Sequence, residues 1–159
     1  MYDRVHSTES VEEQYQTFLE YVEGYMDSAL PAISNYANFS ALVYDFFEDV
    51  NWAGFYLADG ERLYLGPFQG KPACTEIQIG TGVCGTSALK KETLIVKDTA
   101  SFVGHIVCDS ASRSEIVIPL IKNDALIGVL DIDSPLLDRF HERDRETLEK
   151  ALVFLIDIL

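Results

Sequence analysis

Three cysteines, Cys74, Cys84 and Cys108, fall within 35 residues of a 159-residue chain, in the settings "PACTE", "TGVCGTS" and "IVCDS". Inert core thiols are usually embedded in apolar runs. These have small or polar neighbours, which puts each at the edge of an element, where a thiol can react. Cys84 falls where a short helix should begin, and a helix N-terminus lowers a thiol pKa. The gaps between the cysteines are nine and 23 residues, without any C-x-x-C. Adding His105 gives a nominal set of four zinc ligands. Structural zinc uses tight knuckle pairs, and only His105 and Cys108 stand close, so no metal site is expected. An odd cysteine count also argues against a secreted disulfide framework, and for a reducing compartment, the cytoplasm.

The carboxylates give a second chemical signal. In "GVLDIDS" Asp131 and Asp133 are two apart, so on a strand both project from one face. Ile127 and Val129 share that parity, so the acids extend an apolar stripe. Such a pattern marks either a strand running into water or a polar site on a buried face. Glu115, opening the partner strand, poses the same choice. Trp52 and Tyr56 in "NWAGFYL" share strand parity and could wall an apolar pocket, while Phe55 reads as core.

Gly80, Gly82 and Gly85 spell G-x-G-x-x-G, with Asp98 ending the next strand, which is the dinucleotide fingerprint taken literally. The helix "TSALKKE" is too short for that crossover, and "TEIQI" alternates where a buried parallel strand runs continuously apolar. The glycines better suit a tight turn through Gly82 and Val83. Its backbone N–H groups could hold a small carboxylate.

These residues need elements to position them. Val11, Tyr15, Phe18, Leu19, Val22 and Met26 recur at helical spacing, and after Pro31 so do Ile33, Tyr36, Ala37, Ser40 and Val43 or Tyr44. "NWAGFYLADGERLYLGPFQG" reads as strand, turn, strand, "TEIQI" as a third strand, and "TLIVKD" as another. "SEIVIPLIKNDALIGVLDID" is a hairpin around Asn123-Asp124. A closing helix carries Leu148, Ala151, Leu152 and Leu155 as its buried stripe. The expected architecture is α+β, a single domain over residues 1–159. A mostly antiparallel sheet of five or six strands packs against two N-terminal helices and a C-terminal one. The long connection from Thr99 to Arg113 is where function should concentrate.

Composition narrows the partners. The chain is 48% apolar and 24% charged, an ordinary globular balance, with a net charge of −14. That charge repels phosphate backbones and anionic lipid surfaces, which argues against nucleic acid and membrane partners. The polar start "MYDRVHSTESVEEQ" is no signal peptide, and the apolar runs are too short to span a bilayer.

Taken together, "NWAGFYL", "LGPFQGKPACTEIQIGTGVCGTS", "GHIVCDSASRSEIVIPL" and "IGVLDIDSP" resemble the signature segments of the free methionine-(R)-sulfoxide reductases, enzymes built on a GAF domain. The resemblance runs from about Asn51 to Phe140, and the cysteines at this spacing distinguish it from simple GAF sensors. It implies reduction of free methionine sulfoxide without metal or organic cofactor. It implies Cys108 as nucleophile, Cys74 as its disulfide partner and Cys84 as a relay or alternative attacking thiol. Glu115, Asp131 and Asp133 match the site acids, and Trp52 and Tyr56 match the wall that receives the methyl group. A homodimer and a thioredoxin-like reductant follow from the same resemblance. The alternative is a GAF ligand-binding sensor whose cysteines form a redox switch.

One geometric expectation can be stated in advance. With a regular two-residue loop, Lys122 pairs with Ala125 and Glu115 falls opposite Ile132, which turns Asp133 to the other face. Glu115 and Asp133 share a site only if the hairpin has a longer loop or a bulge, and Pro119 marks a plausible place for one.

Overall fold

Two tight hairpins organise the centre of the chain. In a computed structural model, which describes residues 10–104 and 110–159, β1 (Trp52–Asp59) turns into β2 (Arg62–Gly70) and β5 (Ser114–Lys122) into β6 (Ala125–Ser134). At the second turn Asn123 and Asp124 have φ of 50° and 64°. Paired left-handed residues match the twist of the flanking strands. The short strands β3 (Glu76–Gln78) and β4 (Leu94–Val96) complete a sheet of order β3-β2-β1-β6-β5-β4. All neighbouring strands run antiparallel.

The β5–β6 hairpin has the two-residue loop and also a bulge. Lys122 pairs with Ala125 and Ile121 with Leu126, but Leu120 pairs with Gly128, so Ile127 has no opposite number. The extra residue resets the register, and Glu115 lies directly opposite Asp133. It also corrects one expectation: Ile127 does not share a face with Val129. The bulge turns it to the opposite core.

Helices cover one face of the sheet. α1 (Val11–Tyr25), α2 (Ala32–Phe46) and α4 (Glu142–Ile158) close over Phe18, Phe39, Phe55, Leu130, Ile132, Leu148 and Leu155. Full burial of each such side chain contributes about 1.5–3 kcal/mol. α1 begins where Ser10 and Glu13 form a capping box, Ser10 N donating to Glu13 Oε2 at 2.8 Å. α4 buries Leu148, Ala151, Leu152 and Leu155 as its spacing predicts. The Tyr15 hydroxyl donates to buried Asp144 at 2.6 Å, joining α1 to α4.

The expected stripe on α2 is only half right. Tyr36, Ser40 and Val43 are buried, together with Asn35, Phe39 and Leu42, whereas Ile33, Ala37 and Tyr44 are exposed. The stripe is rotated because Asn35 points inward to satisfy the preceding loop. Its Nδ2 donates to Asp27 O at 2.9 Å, and its Oδ1 accepts from Asp27 N at 3.0 Å.

The opposite face carries a second core: Trp52, Tyr56, Leu63, Ile77, Val83, Cys84, Ala88, Val96, Val117 and Val129. α3 (Gly82–Lys90) lies over it. The chemistry-bearing residues gather on this face.

Candidate active site

The rungs of the sheet assemble the acids and the aromatic wall. Glu115 on β5 faces Asp133 on β6, and Asp133 faces Trp52 on β1. One step along that face, Asp131 lies between Val117 and Gly54. Gly54 has no room for a side chain, since a Cβ there would meet Phe68 Cβ at 2.3 Å. The absence of that Cβ lets β2 press Phe68 against Trp52, with rings stacked at 5.3 Å, and Trp52 also stacks on Tyr56 at 5.8 Å. Trp52 and Tyr56, expected to wall a pocket, therefore stand in a row with a third ring, Phe68, which sequence reasoning missed. Its position in "LGPFQG", opposite Gly54, becomes informative only once the β1–β2 register is known.

Both wall residues also reach the segment that carries Cys74. Trp52 Nε1 donates to Lys71 O at 3.1 Å, and the Tyr56 hydroxyl donates to the carbonyl of Cys74 at 3.0 Å. Burial, followed by the surrounding carboxylates and thiol, pushes the Tyr56 phenol far above its ordinary pKa, so it remains a donor. Cys74 is disulfide-bonded and Cys84 is a free thiol. Cys108, the expected nucleophile, lies outside the described residues, as does His105.

Both ends of the connection that includes Cys108 are tied beside the acids. Thr99 N donates to Arg113 O at 2.9 Å, and Arg113 N donates to Ser134 O at 2.7 Å. Ser112 accepts at its carbonyl from Thr99 Oγ1 and at its hydroxyl from Asn51 Nδ2, and Asn51 N donates to Asp133 O. Asn51, Thr99 and Ser112 are positioning residues that the sequence did not single out, because nothing in their types distinguishes them from ordinary loop polars.

Cys84 corrects the expectation of an edge thiol with a lowered pKa. It is 5% exposed, packed with Val83 and Ala88 in the second core. Desolvation, then the negative charge of Asp131 and Glu115, pushes its thiol well above the ordinary value. The i, i+4 pair Cys84 and Ala88 was the available sign that this helix buries that face.

Asp131 is also pushed well above the carboxylate range, first by burial and then by Glu115, with a hydrogen bond from Cys84 acting the other way. Its Oδ1 is buried and has no hydrogen-bond partner. The backbone N–H groups of Gly82, Val83 and Cys84 at the start of α3 have no acceptor among the described residues. α3 can settle this low because Gly85 lacks a Cβ, which would stand 2.5 Å from Gln78 O. This face of the sheet therefore offers carboxyl groups for a cation or a proton, N–H groups without an acceptor among the described residues for an anion, and aromatic rings for an apolar group.

Residues 12–156 match the GAF domain family. The chain is 49% identical over 150 residues to Protein YtsP of Bacillus subtilis, spanning 89% of this chain and 92% of that protein. It is 47% identical over 127 residues to the free methionine-R-sulfoxide reductase of Escherichia coli, covering 80% and 77% of the two chains. The fold superimposes with a TM-score of 0.91 and 37% identity on the free methionine-R-sulfoxide reductase of Neisseria meningitidis in complex with its substrate, over 99% and 95% of the two chains. The chain belongs to the GAF domain family, in the group that includes the free methionine-R-sulfoxide reductases.

Proposed function

We propose that this protein reduces free methionine-(R)-sulfoxide to methionine by thiol chemistry. The observation that carries the reading is the single face of the sheet on which Glu115, Asp131 and Asp133 stand beside the Trp52–Tyr56–Phe68 row, which on its other side holds the Cys74 segment. The relatives named above support the substrate, and the chemistry of a sulfoxide supports the residues.

A sulfoxide sulfur becomes a good electrophile only when its oxygen is protonated or strongly hydrogen-bonded, so a thiolate and a carboxyl group must meet across one S–O bond. Glu115 and Asp133, on one rung, are the carboxyl groups proposed to stand at that oxygen. The Cys108 thiolate attacks sulfur; the oxygen leaves with it as a cysteine sulfenic acid, and methionine departs. The Cys74 thiol then condenses with the sulfenic acid, forming a disulfide and releasing water. An external dithiol of the thioredoxin kind reduces that bond and is itself oxidised. The disulfide at Cys74 fits the state left after turnover, with Cys108 as its proposed partner. Cys84, desolvated and protonated, is reassigned from relay thiol to hydrogen-bond partner of Asp131.

The same pocket can read both ends of a free amino acid. The substrate ammonium would stand against Asp131, whose pKa falls again once an opposite charge arrives. The carboxylate would take the free N–H groups of Gly82, Val83 and Cys84. The test is incubation with racemic free methionine sulfoxide and dithiothreitol, measuring methionine and the residual epimers. The expected result is consumption of the R epimer alone, with Cys74→Ser yielding one equivalent of methionine when dithiothreitol is omitted. Binding without methionine release would instead identify a ligand sensor.

A further inference from the structure

Cys84, Glu115 and Asp131 meet where α3 packs on β5 and β6, and each is at most 8% exposed. The Cys84 Sγ and one oxygen from each acid all lie within 4.8 Å of one another. A point shared by three atoms at that spacing is about 2.8 Å or less from each. A closure of under about 1 Å therefore reaches zinc–sulfur and zinc–oxygen bonding distances. An independent feature points to a cation. Asp131 Oδ1, on a side chain more than nine-tenths buried, has no hydrogen-bond partner. A buried carboxylate oxygen left this way is costly unless a ligand occupies it.

We propose that Cys84, Asp131 and Glu115 form a site for one divalent cation of the zinc class. The donor set selects the metal. A thiolate disfavours magnesium and calcium, which take oxygen ligands, whereas one sulfur with carboxylates suits zinc or cobalt, with water completing a tetrahedron. Binding displaces the thiol proton to solvent, and the two positive charges offset acids that otherwise repel one another. This site differs from a set of three thiols and His105, because Cys74 is already disulfide-bonded and Cys84 has acids beside it. It stands on the local geometry and does not depend on the proposed reductase activity. A bound ion would occupy the ground assigned above to the substrate ammonium, and so would block it.

Calorimetric titration of zinc chloride into the oxidised full chain tests this, because Cys74 is then held in its disulfide while Cys84 remains a free thiol. One equivalent should bind, and cobalt(II) should give a near-ultraviolet thiolate charge-transfer band. Cys84→Ser should remove the band and weaken zinc at least about 30-fold, and Asp131→Asn at least about 10-fold. Both substitutions are nearly isosteric, and circular dichroism confirms that each variant folds. Absence of binding by the oxidised wild type, or affinity unchanged in both variants, overturns the proposal. So does zinc binding that appears only after the disulfide is reduced, since other thiols would then be the ligands.

Discussion

Asp131 is a buried acid whose ionisation works against stability. Its carboxyl titrates above its ordinary value of 3.8 in the folded chain, because burial and Glu115 both disfavour the anion. A raised folded pKa contributes stability that is complete below the unfolded value and is lost as pH rises through the folded one. At neutral pH the residue therefore costs stability. Asp131→Asn should raise the melting temperature at pH 7 by roughly 2–4 °C, equivalent to about 1 kcal/mol, and the gain should shrink toward zero near pH 4. Thermal unfolding followed by circular dichroism at the two pH values checks both the sign and the window. The spacing of Asp131 and Asp133 was legible as a shared face. The fate of Cys84 was not, because the residues around it in sequence are mostly small or polar, while the fold sets it in the second core beside Asp131 and Glu115. A helix dipole is a local cue, and desolvation is a tertiary one.

At the scale of elements, register decides whether a site exists. The need for an irregularity in the β5–β6 hairpin followed from parity alone, and the bulge at Ile127 supplies it. The phase of α2 was harder to read, because Asn35 looks like a surface residue until the Asp27 backbone it serves is folded beneath it. The contact of β1 with β2 at Gly54 was invisible in sequence for a related reason: a glycine in a strand does not say what approaches it. Gly54→Ala would set a Cβ 2.3 Å from Phe68 Cβ and 2.7 Å from its Cα, forcing backbone movement. The expected cost is about 2 kcal/mol or more. Because Trp52 is the only tryptophan and is stacked on Phe68, its fluorescence reports the same event. The variant should melt roughly 4–8 °C lower, with altered Trp52 emission. Unchanged melting and emission would mean that β2 does not hold the wall in place.

The whole molecule joins a core under three helices on one face of the sheet to a second core on the other, where the candidate site residues gather. No helix among the described residues is long and apolar enough to cross a membrane. The α+β class and the order of its elements were readable from periodicity and turns, and among the described residues the recognisable motifs lie mostly on strands that carry the second core or on the turns beside them. The reading proposed for them is recognition of a small zwitterion, in a protein whose net charge of −14 gives no advantage to polyanions. The central claim is that Asp131 and its neighbours recognise a free amine while the sulfur is reduced. The most direct measurement compares kcat/KM for free methionine-(R)-sulfoxide with that for its N-acetyl derivative, which keeps the sulfoxide and removes the charge. Buried polar groups left without their partner reject such an analogue strongly, and the account predicts a loss of at least about 10³-fold. Comparable values for the two substrates would contradict it.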